Sequence, residues 1–213
     1  MNVTIIDYGS GNLRSVTKAF EFAQKKTGGG SVIVSSDPNK LINASHIVLP
    51  GQGSFADCKS GLLAIDGMAE MLHQQVIKNA KPFLGICVGM QLMADISMER
   101  DQTYGLGWIP GEVVEIIPQD KHIKIPHMGW NALRLSGSTH PVVAGLTNGA
   151  HVYFVHSYNF VAKKPSHVLG TVKHGSTITA IVGHNNLLGA QFHPEKSQAE
   201  GLKFIESFLT WQP

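Results

Sequence analysis

Three short strings carry residue types that could act together on a carbonyl carbon. In Gly85-Ile86-Cys87-Val88-Gly89 a cysteine is enclosed by small residues. It follows Lys81-Pro82-Phe83-Leu84, which reads as a short buried strand, and precedes Met90-Gln91-Leu92-Met93, which begins an apolar helical stretch. That pattern predicts a sharp strand-to-helix elbow with the sulfur open to substrate, the glycines letting the backbone turn. A helix amino terminus beneath the sulfur would favour thiolate over thiol. In Gln191-Phe192-His193-Pro194-Glu195 an imidazole and a carboxylate lie two positions apart, so extended geometry would turn both to one side. A cysteine nucleophile needs a base, and the base needs an orienting acceptor; Cys87, His193 and Glu195 meet that requirement. Leu49-Pro50-Gly51-Gln52-Gly53 adds a strand-to-loop junction whose glycines would let main-chain N–H groups approach a developing oxyanion.

These strings must be brought to one crevice, and the first half of the chain has the pattern to do it. Val3–Asp7 is an apolar, β-branched run, and Tyr8–Gly11 a turn. Leu13, Val16, Phe20 and Ala23 then recur on one helical face. Ser31–Ser35 and His46–Pro50 read as further buried strands, and Met68, Met71, Leu72 and Val76 as another helix. Alternating strand and helix predicts an α/β fold, a doubly wound, mainly parallel sheet flanked by helices, with ligands at the carboxyl ends of its strands. From about Gly111 the texture changes. Glu112–Ile117, His122–Pro126, Ala132–Leu135, Val152–Phe160, His167–Lys173 and Thr177–Val182 are strand-like, with turns such as His174-Gly175-Ser176 between them. Additional antiparallel strands in the C-terminal half are expected. Leu187–Phe192 and a helix with Leu202, Ile205, Phe208 and Leu209 on one side close the chain. Residues 1–213 read as one domain, without internal repeat or linker.

Bulk properties narrow the class. The chain has 213 residues, 43 % of them apolar and 15 % charged, with a net charge of +2, which gives no reason to expect nucleic acid or a membrane surface as partner. No basic segment precedes a long apolar one and no run could span a bilayer, so a cytoplasmic protein is expected. The two cysteines lie in different contexts and suggest no disulfide. The eleven histidines show no cluster with ligand spacing, His151 and His156 not being an i,i+4 pair; neither a metal site nor a cofactor is expected.

Six strings carry a resemblance that covers essentially the whole chain: Ile6–Leu13, Pro50–Gly53, Gly85–Gln91, Pro126-His127-Met128-Gly129-Trp130-Asn131, Tyr153–Tyr158 and His193-Pro194-Glu195-Lys196-Ser197. They resemble the class I (triad-type) glutamine amidotransferases, and within them the glutaminase subunits of imidazole glycerol phosphate synthase. The resemblance implies that Cys87 attacks the carboxamide of glutamine, that His193 moves the protons and that Glu195 holds the imidazole. It implies oxyanion donors from Val88 and the Gly51–Gln52–Gly53 loop, and a glutamine site formed by Gln91, Glu99, Ser157 and Tyr158. It also implies a (β/α)₈-barrel cyclase as partner in a heterodimer of histidine biosynthesis. Asn12, Trp130, Tyr153 and Lys196 would face that barrel, and the oxyanion loop would rest unproductively until partner and nucleotide bind. Two departures stand out: Gln52 occupies a position the family usually gives to Val, and Lys25–Gly30 is a longer, Gly-rich connection, read as a surface insertion.

Blander accounts exist for several of these residues. A lone cysteine on an apolar strand is ordinarily inert, which is how Cys58 is read; for Cys87 the elbow and His193-Pro194-Glu195 reverse that expectation. Gly9-Ser10-Gly11-Asn12 lacks the third glycine of a dinucleotide loop, Arg14 standing there, and reads as a structural turn. His127 and His156 are expected to order loops by hydrogen bonding. Two further activities stay open on the residues alone: a glutaminase serving another ammonia-using synthase, and a stand-alone cysteine γ-glutamyl hydrolase.

Overall fold

A computed structural model describes residues 1–118, 120, 122–137 and 140–213. Strand β1 (Asn2–Ile6) opens the chain, its apolar residues buried on both faces as a central parallel strand requires. Helix α1 (Leu13–Lys26) follows; the Asn12 side chain accepts the Ser15 N–H at its start, and Lys25 and Lys26 suit the carbonyl-rich end. Val16, Phe20 and Ala23 form its buried stripe. Strands β2 (Ser31–Ser35) and β3 (His46–Gly51) come next, then helices α2 (Phe55–Leu63) and α3 (Met68–Leu72), the latter running into a wider turn over His73–Lys78. Strand β4 (Phe83–Cys87) leads directly into helix α4 (Val88–Gln91).

Beyond these, short strands β5 (Ile96–Ser97) and β6 (Thr103–Tyr104) precede β7 (Gly111–Glu115), β8 (His127–Ala132) and β9 (Arg134–Leu135). After the one-turn helix α5 (Pro141–Ala144) come β10 (His151–His156), β11 (Tyr158–Ala162), β12 (Val168–His174), β13 (Ser176–His184) and β14 (Leu187–Ala190). Helix α6 (Gln198–Thr210) packs against α1.

The large sheet has the order β2-β1-β3-β4-β14-β13-β12-β9, parallel as far as β14 and antiparallel after it. Smaller sheets β10-β8 and β11-β7-β5-β6 complete the mixed architecture. A cluster of buried apolar side chains, rich in phenylalanine (Phe20, Phe83, Phe154, Phe192, Phe204, Phe208), joins sheet and helices. The expected α/β class with its parallel sheet and C-terminal antiparallel strands is what forms.

Several local expectations need correction. Ser31–Ser35 is a strand but not a buried one: among the described residues it is the sheet's edge, pairing with β1 alone, and Ile33 and Val34 are exposed. An apolar run cannot by itself distinguish an edge from a centre. His122–Pro126 forms turns rather than a strand. Val152–Phe160 breaks at Ser157, where the chain leaves one small sheet for the other, and Ala132–Leu135 is split at Leu133. The buried strand upstream of Cys87 begins at Phe83, since Pro82 cannot donate to a ladder. The helix after Cys87 is a single turn, too short to sum an appreciable dipole.

Among the described residues no helix is long and apolar enough to cross a membrane.

Candidate active site

Parallel pairing sets the site. Gly51 and Cys87 are register partners at the carboxyl ends of β3 and β4, and β14 ends alongside at Ala190, opposite Ile86. The three strings therefore emerge at one edge of the sheet. Cys87 turns the chain with φ 55° and ψ −113°, a strained conformation for a side-chain-bearing residue. The flanking glycines are required by contact as well as by rotation. A Cβ on Gly89 would collide with the carbonyl of Leu49, and one on Gly85 would stand 2.5 Å from the carbonyl oxygen of Gly89.

His193 and Glu195 do meet, though not by extended geometry. Pro194 starts a tight turn over Pro194–Lys196 that folds the carboxylate back, so that His193 Nδ1 lies 2.8 Å from Glu195 Oε1. The Ser197 hydroxyl donates to the His193 carbonyl at 2.7 Å and accepts the Tyr153 N–H at 3.0 Å, and the His193 N–H donates to the Tyr153 carbonyl at 2.9 Å. The imidazole is thus held by main-chain anchors as well as by its carboxylate.

Burial alone would drive the His193 imidazole towards its neutral form. Interaction with Cys87 and with Glu195 outweighs it and lifts the pKa to about 9. His193 Nε2 and Glu195 Oε2 are both buried and find no hydrogen-bond partner among the described residues.

Cys87, Val88, Gln91, Glu99, Ser157, Tyr158, His193, Gln52 and Gly53 line one cleft of about 180 Å³. That is smaller than a drug-sized pocket and suits a single amino acid. All four candidate substrate residues are there. Gln91 is buried; Glu99, which also accepts the Phe55 N–H at 2.7 Å, supplies an anionic group to the wall. The break at Ser157 that divides β10 from β11 is what turns Ser157 and Tyr158 into the cleft.

The Gly51–Gly53 loop, the candidate for the oxyanion donors, is engaged with Ser10 and its neighbours. The Gln52 N–H donates to Ser10 Oγ at 3.0 Å, while the Ser10 hydroxyl donates to the Gln52 carbonyl at 2.6 Å. Cys58 Sγ adds a contact to the same carbonyl at 3.4 Å, and the Tyr8 hydroxyl donates to the Pro50 carbonyl at 2.7 Å. The Gln52 amide hydrogen is therefore occupied, and Gly53, at φ +99°, is the pivot beside it. Gly51 is crowded, a Cβ there lying 2.6 Å from the Gly89 nitrogen.

Three of the four candidate interface residues form one patch. Trp130, 46 % exposed, meets the Tyr153 ring edge-on with centroids 6.0 Å apart, and Lys196 Nζ lies 5.7 Å from the centre of that ring. Asn12 is not in this patch; it caps α1, which packs against the Pro194–Lys196 turn.

Comparison with known proteins agrees with this geometry. The family model described as glutamine amidotransferase class-I matches residues 4–210. The chain belongs to the class-I glutamine amidotransferases. Over the full length of both chains this amidotransferase is 51 % identical to the imidazole glycerol phosphate synthase subunit HisH of Rhodospirillum rubrum and 52 % identical to that of Agrobacterium fabrum. A solved structure described as a glutamine amidotransferase superposes with TM-score 0.72 at 17 % identity, covering 97 % of this chain and 96 % of the other, which supports the fold alone.

Sequence reasoning did not single out Ser10, Tyr8, Ser197 or Gln191 as parts of the site. Hydroxyls and amides in ordinary strand-end and turn positions have no spacing signature. Only proximity reveals that they contact the Pro50–Gly53 loop, the His193 turn and the Cys87 sulfur. His127 and His156, expected to order loops, hydrogen-bond to each other at 2.9 Å.

Proposed function

We propose that this chain is the glutaminase subunit of an imidazole glycerol phosphate synthase, releasing ammonia from glutamine for a cyclase partner. One observation carries the proposal. A buried His193–Glu195 pair and a strained Cys87 elbow share an amino-acid-sized cleft, in a chain about half identical, end to end, to that subunit.

The chemistry follows from the atoms present. Cys87 Sγ adds to the carboxamide carbon while the C=O electron pair moves to oxygen. The Val88 N–H and the 51–53 loop receive that oxyanion. The imidazolium of His193 gives its proton to the departing nitrogen, leaving a glutamyl thioester and ammonia. Water then adds to the thioester carbonyl, giving its proton to His193. The C–S bond breaks with its pair going to sulfur, so glutamate leaves and the thiolate–imidazolium pair is restored. Glu99 is suited to the substrate's ammonium, and Gln91, Ser157 and Tyr158 to its remaining polar groups.

Because Ser10 occupies the Gln52 N–H, the loop must rotate about Gly53 before that donor can serve. This favours hydrolysis gated by a partner, a (β/α)₈-barrel cyclase docking on Trp130, Tyr153 and Lys196, with Asn12 at its margin. The Tyr153 carbonyl already bonds the His193 N–H, so docking there adjoins the catalytic turn. Residues 1–213 act as one glutaminase domain, in the cytoplasm. The test is imidazole glycerol phosphate formation by the assembled synthase, driven by glutamine or by ammonium. Cys87→Ala should abolish the first and retain the second; retention of both would overturn the proposal.

A further inference from the structure

Gln191 is fully buried, one residue past β14, and its Nε2 lies 3.8 Å from Cys87 Sγ. Whether the sulfur meets an amide N–H or an amide oxygen depends on which way this side chain is turned. A chain of hydrogen bonds decides it. The Tyr158 main-chain oxygen can only accept, so Gln91 must present its NH₂ group there, at 3.4 Å. The same nitrogen donates to Gln191 Oε1 at 3.0 Å, which leaves the Gln191 NH₂ facing the sulfur.

The Tyr158 oxygen is fixed in turn. It accepts from His156 Nδ1 at 2.8 Å, and His156 Nε2 accepts from His127 Nδ1 at 2.9 Å. Asn131 Nδ2 donates to His127 Nε2 at 3.0 Å and to the Lys173 carbonyl at 3.0 Å, while Asn131 Oδ1 takes the Ala132 N–H. Every member has one permitted orientation, and both imidazoles are neutral with the proton on Nδ1. Neutrality is reinforced by burial, which pushes His127 down to about 3 and His156 to about 4.

We infer that Gln191 is a catalytic residue for the hydrolysis proposed above, donating an N–H to the Cys87 sulfur when it carries negative charge, with Gln91 fixing its orientation. A thiolate accepts such a bond well and a thioester sulfur poorly. The contact therefore strengthens as the C–S bond of the glutamyl thioester breaks and the electron pair settles on sulfur. Deacylation benefits, because a better stabilised thiolate leaves faster.

The inference rests on the glutaminase assignment, so its test separates the two. Cys87 alkylation by iodoacetamide is followed against pH by peptide mass in the wild type, Gln191→Met and Gln191→Glu. Neither substitution alters the other ionisable neighbours of the sulfur, His193 with Glu195 behind it and Tyr8. Near pH 7 the rate should fall roughly three- to tenfold in Gln191→Met and further in Gln191→Glu, converging with the wild type at high pH. With glutamine and partner, acid-quenched Gln191→Met should carry more glutamyl thioester at steady state than the wild type. Gln191→Glu keeps the size and the bond from Gln91, so it decides the matter if the methionine variant does not fold. Superimposed alkylation profiles in a folded variant would overturn the role of Gln191 while leaving the assignment intact. Glutamine hydrolysis surviving Cys87→Ala would overturn the assignment itself.

Discussion

Replacing Glu195 by glutamine tests the electrostatics of the site with the least change of shape. The carboxylate is 1 % exposed at its side chain and lies 2.8 Å from His193 Nδ1. An amide oxygen can accept the same hydrogen bond without the charge. The His193 pKa stands at about 9, raised from an ordinary 6.5 by Cys87 and Glu195 against the opposing effect of burial. That rise corresponds to roughly 3 kcal/mol in favour of the imidazolium. Removing the carboxylate charge forfeits part of it and leaves burial opposed by Cys87 and by the hydrogen bond that the amide retains. The imidazolium must persist until the amine departs, so the loss appears in the chemical step. We expect kcat for glutamine hydrolysis, measured as glutamate release with saturating partner, to fall about 10²–10⁴-fold with little change in KM. The alkaline limb of the pH–rate profile, near pH 9 in the wild type, should move to lower pH. Stability should follow the same sign. A histidine raised in the folded state adds stability below pH 6.5 that is lost as pH rises through about 9, and this alkaline loss should shrink in the variant. A Glu195→Gln enzyme with wild-type kcat and an unmoved alkaline limb would refute the reasoning.

Four further outcomes follow from the geometry. Ser10→Ala frees the Gln52 N–H and should raise partner-independent glutamine hydrolysis several-fold, as one hydrogen bond to a polar group commands about 1 kcal/mol; an unchanged basal rate would remove Ser10 from the gating scheme. Gly89→Ala forces a methyl group into the Leu49 carbonyl and should cost about 1–3 kcal/mol or more in denaturant unfolding, so a variant as stable as the wild type would contradict the packing of β3 on the elbow. Trp130→Ala should leave unfolding stability within about 0.5 kcal/mol yet lower partner-stimulated activity at least about tenfold, and full stimulation would clear this patch of a docking role. His127 and His156 resist protonation in the folded state but not in the unfolded chain, so stability should fall as pH drops from 6.5 towards 4, by up to about 2.7 kcal/mol per pH unit for the two together. Flat acid stability across that window would exclude the buried neutral pair.

How much of this was legible in the sequence depended on whether a property is local. The elbow at Cys87 was, because Gly85 and Gly89 enclosing one cysteine between a short buried strand and an apolar helical stretch have few other meanings. The pairing of His193 with Glu195 was read correctly from spacing but by the wrong geometry: Pro194 makes a turn there. The α/β alternation gave the parallel sheet, whereas β2 looked as buried as β3 because edge and centre differ in neighbours and not in composition. The division of Val152–Phe160 was invisible, since alternation continues across Ser157 while the partner strand changes. Least visible were Ser10 and Gln191. Each acts through a residue more than forty positions away, and only the assembled sheet edge brings the partners within reach.

The central claim is that Cys87 carries the glutamyl group. It is tested most directly by acid-quenching the partner-bound enzyme during glutamine turnover and locating the modification by peptide mass spectrometry. The account predicts one glutamyl increment, on the peptide containing Cys87, absent from Cys87→Ser and from samples given glutamate in place of glutamine. Rapid turnover with that peptide unmodified at every quench time, or an increment on another residue, would contradict it.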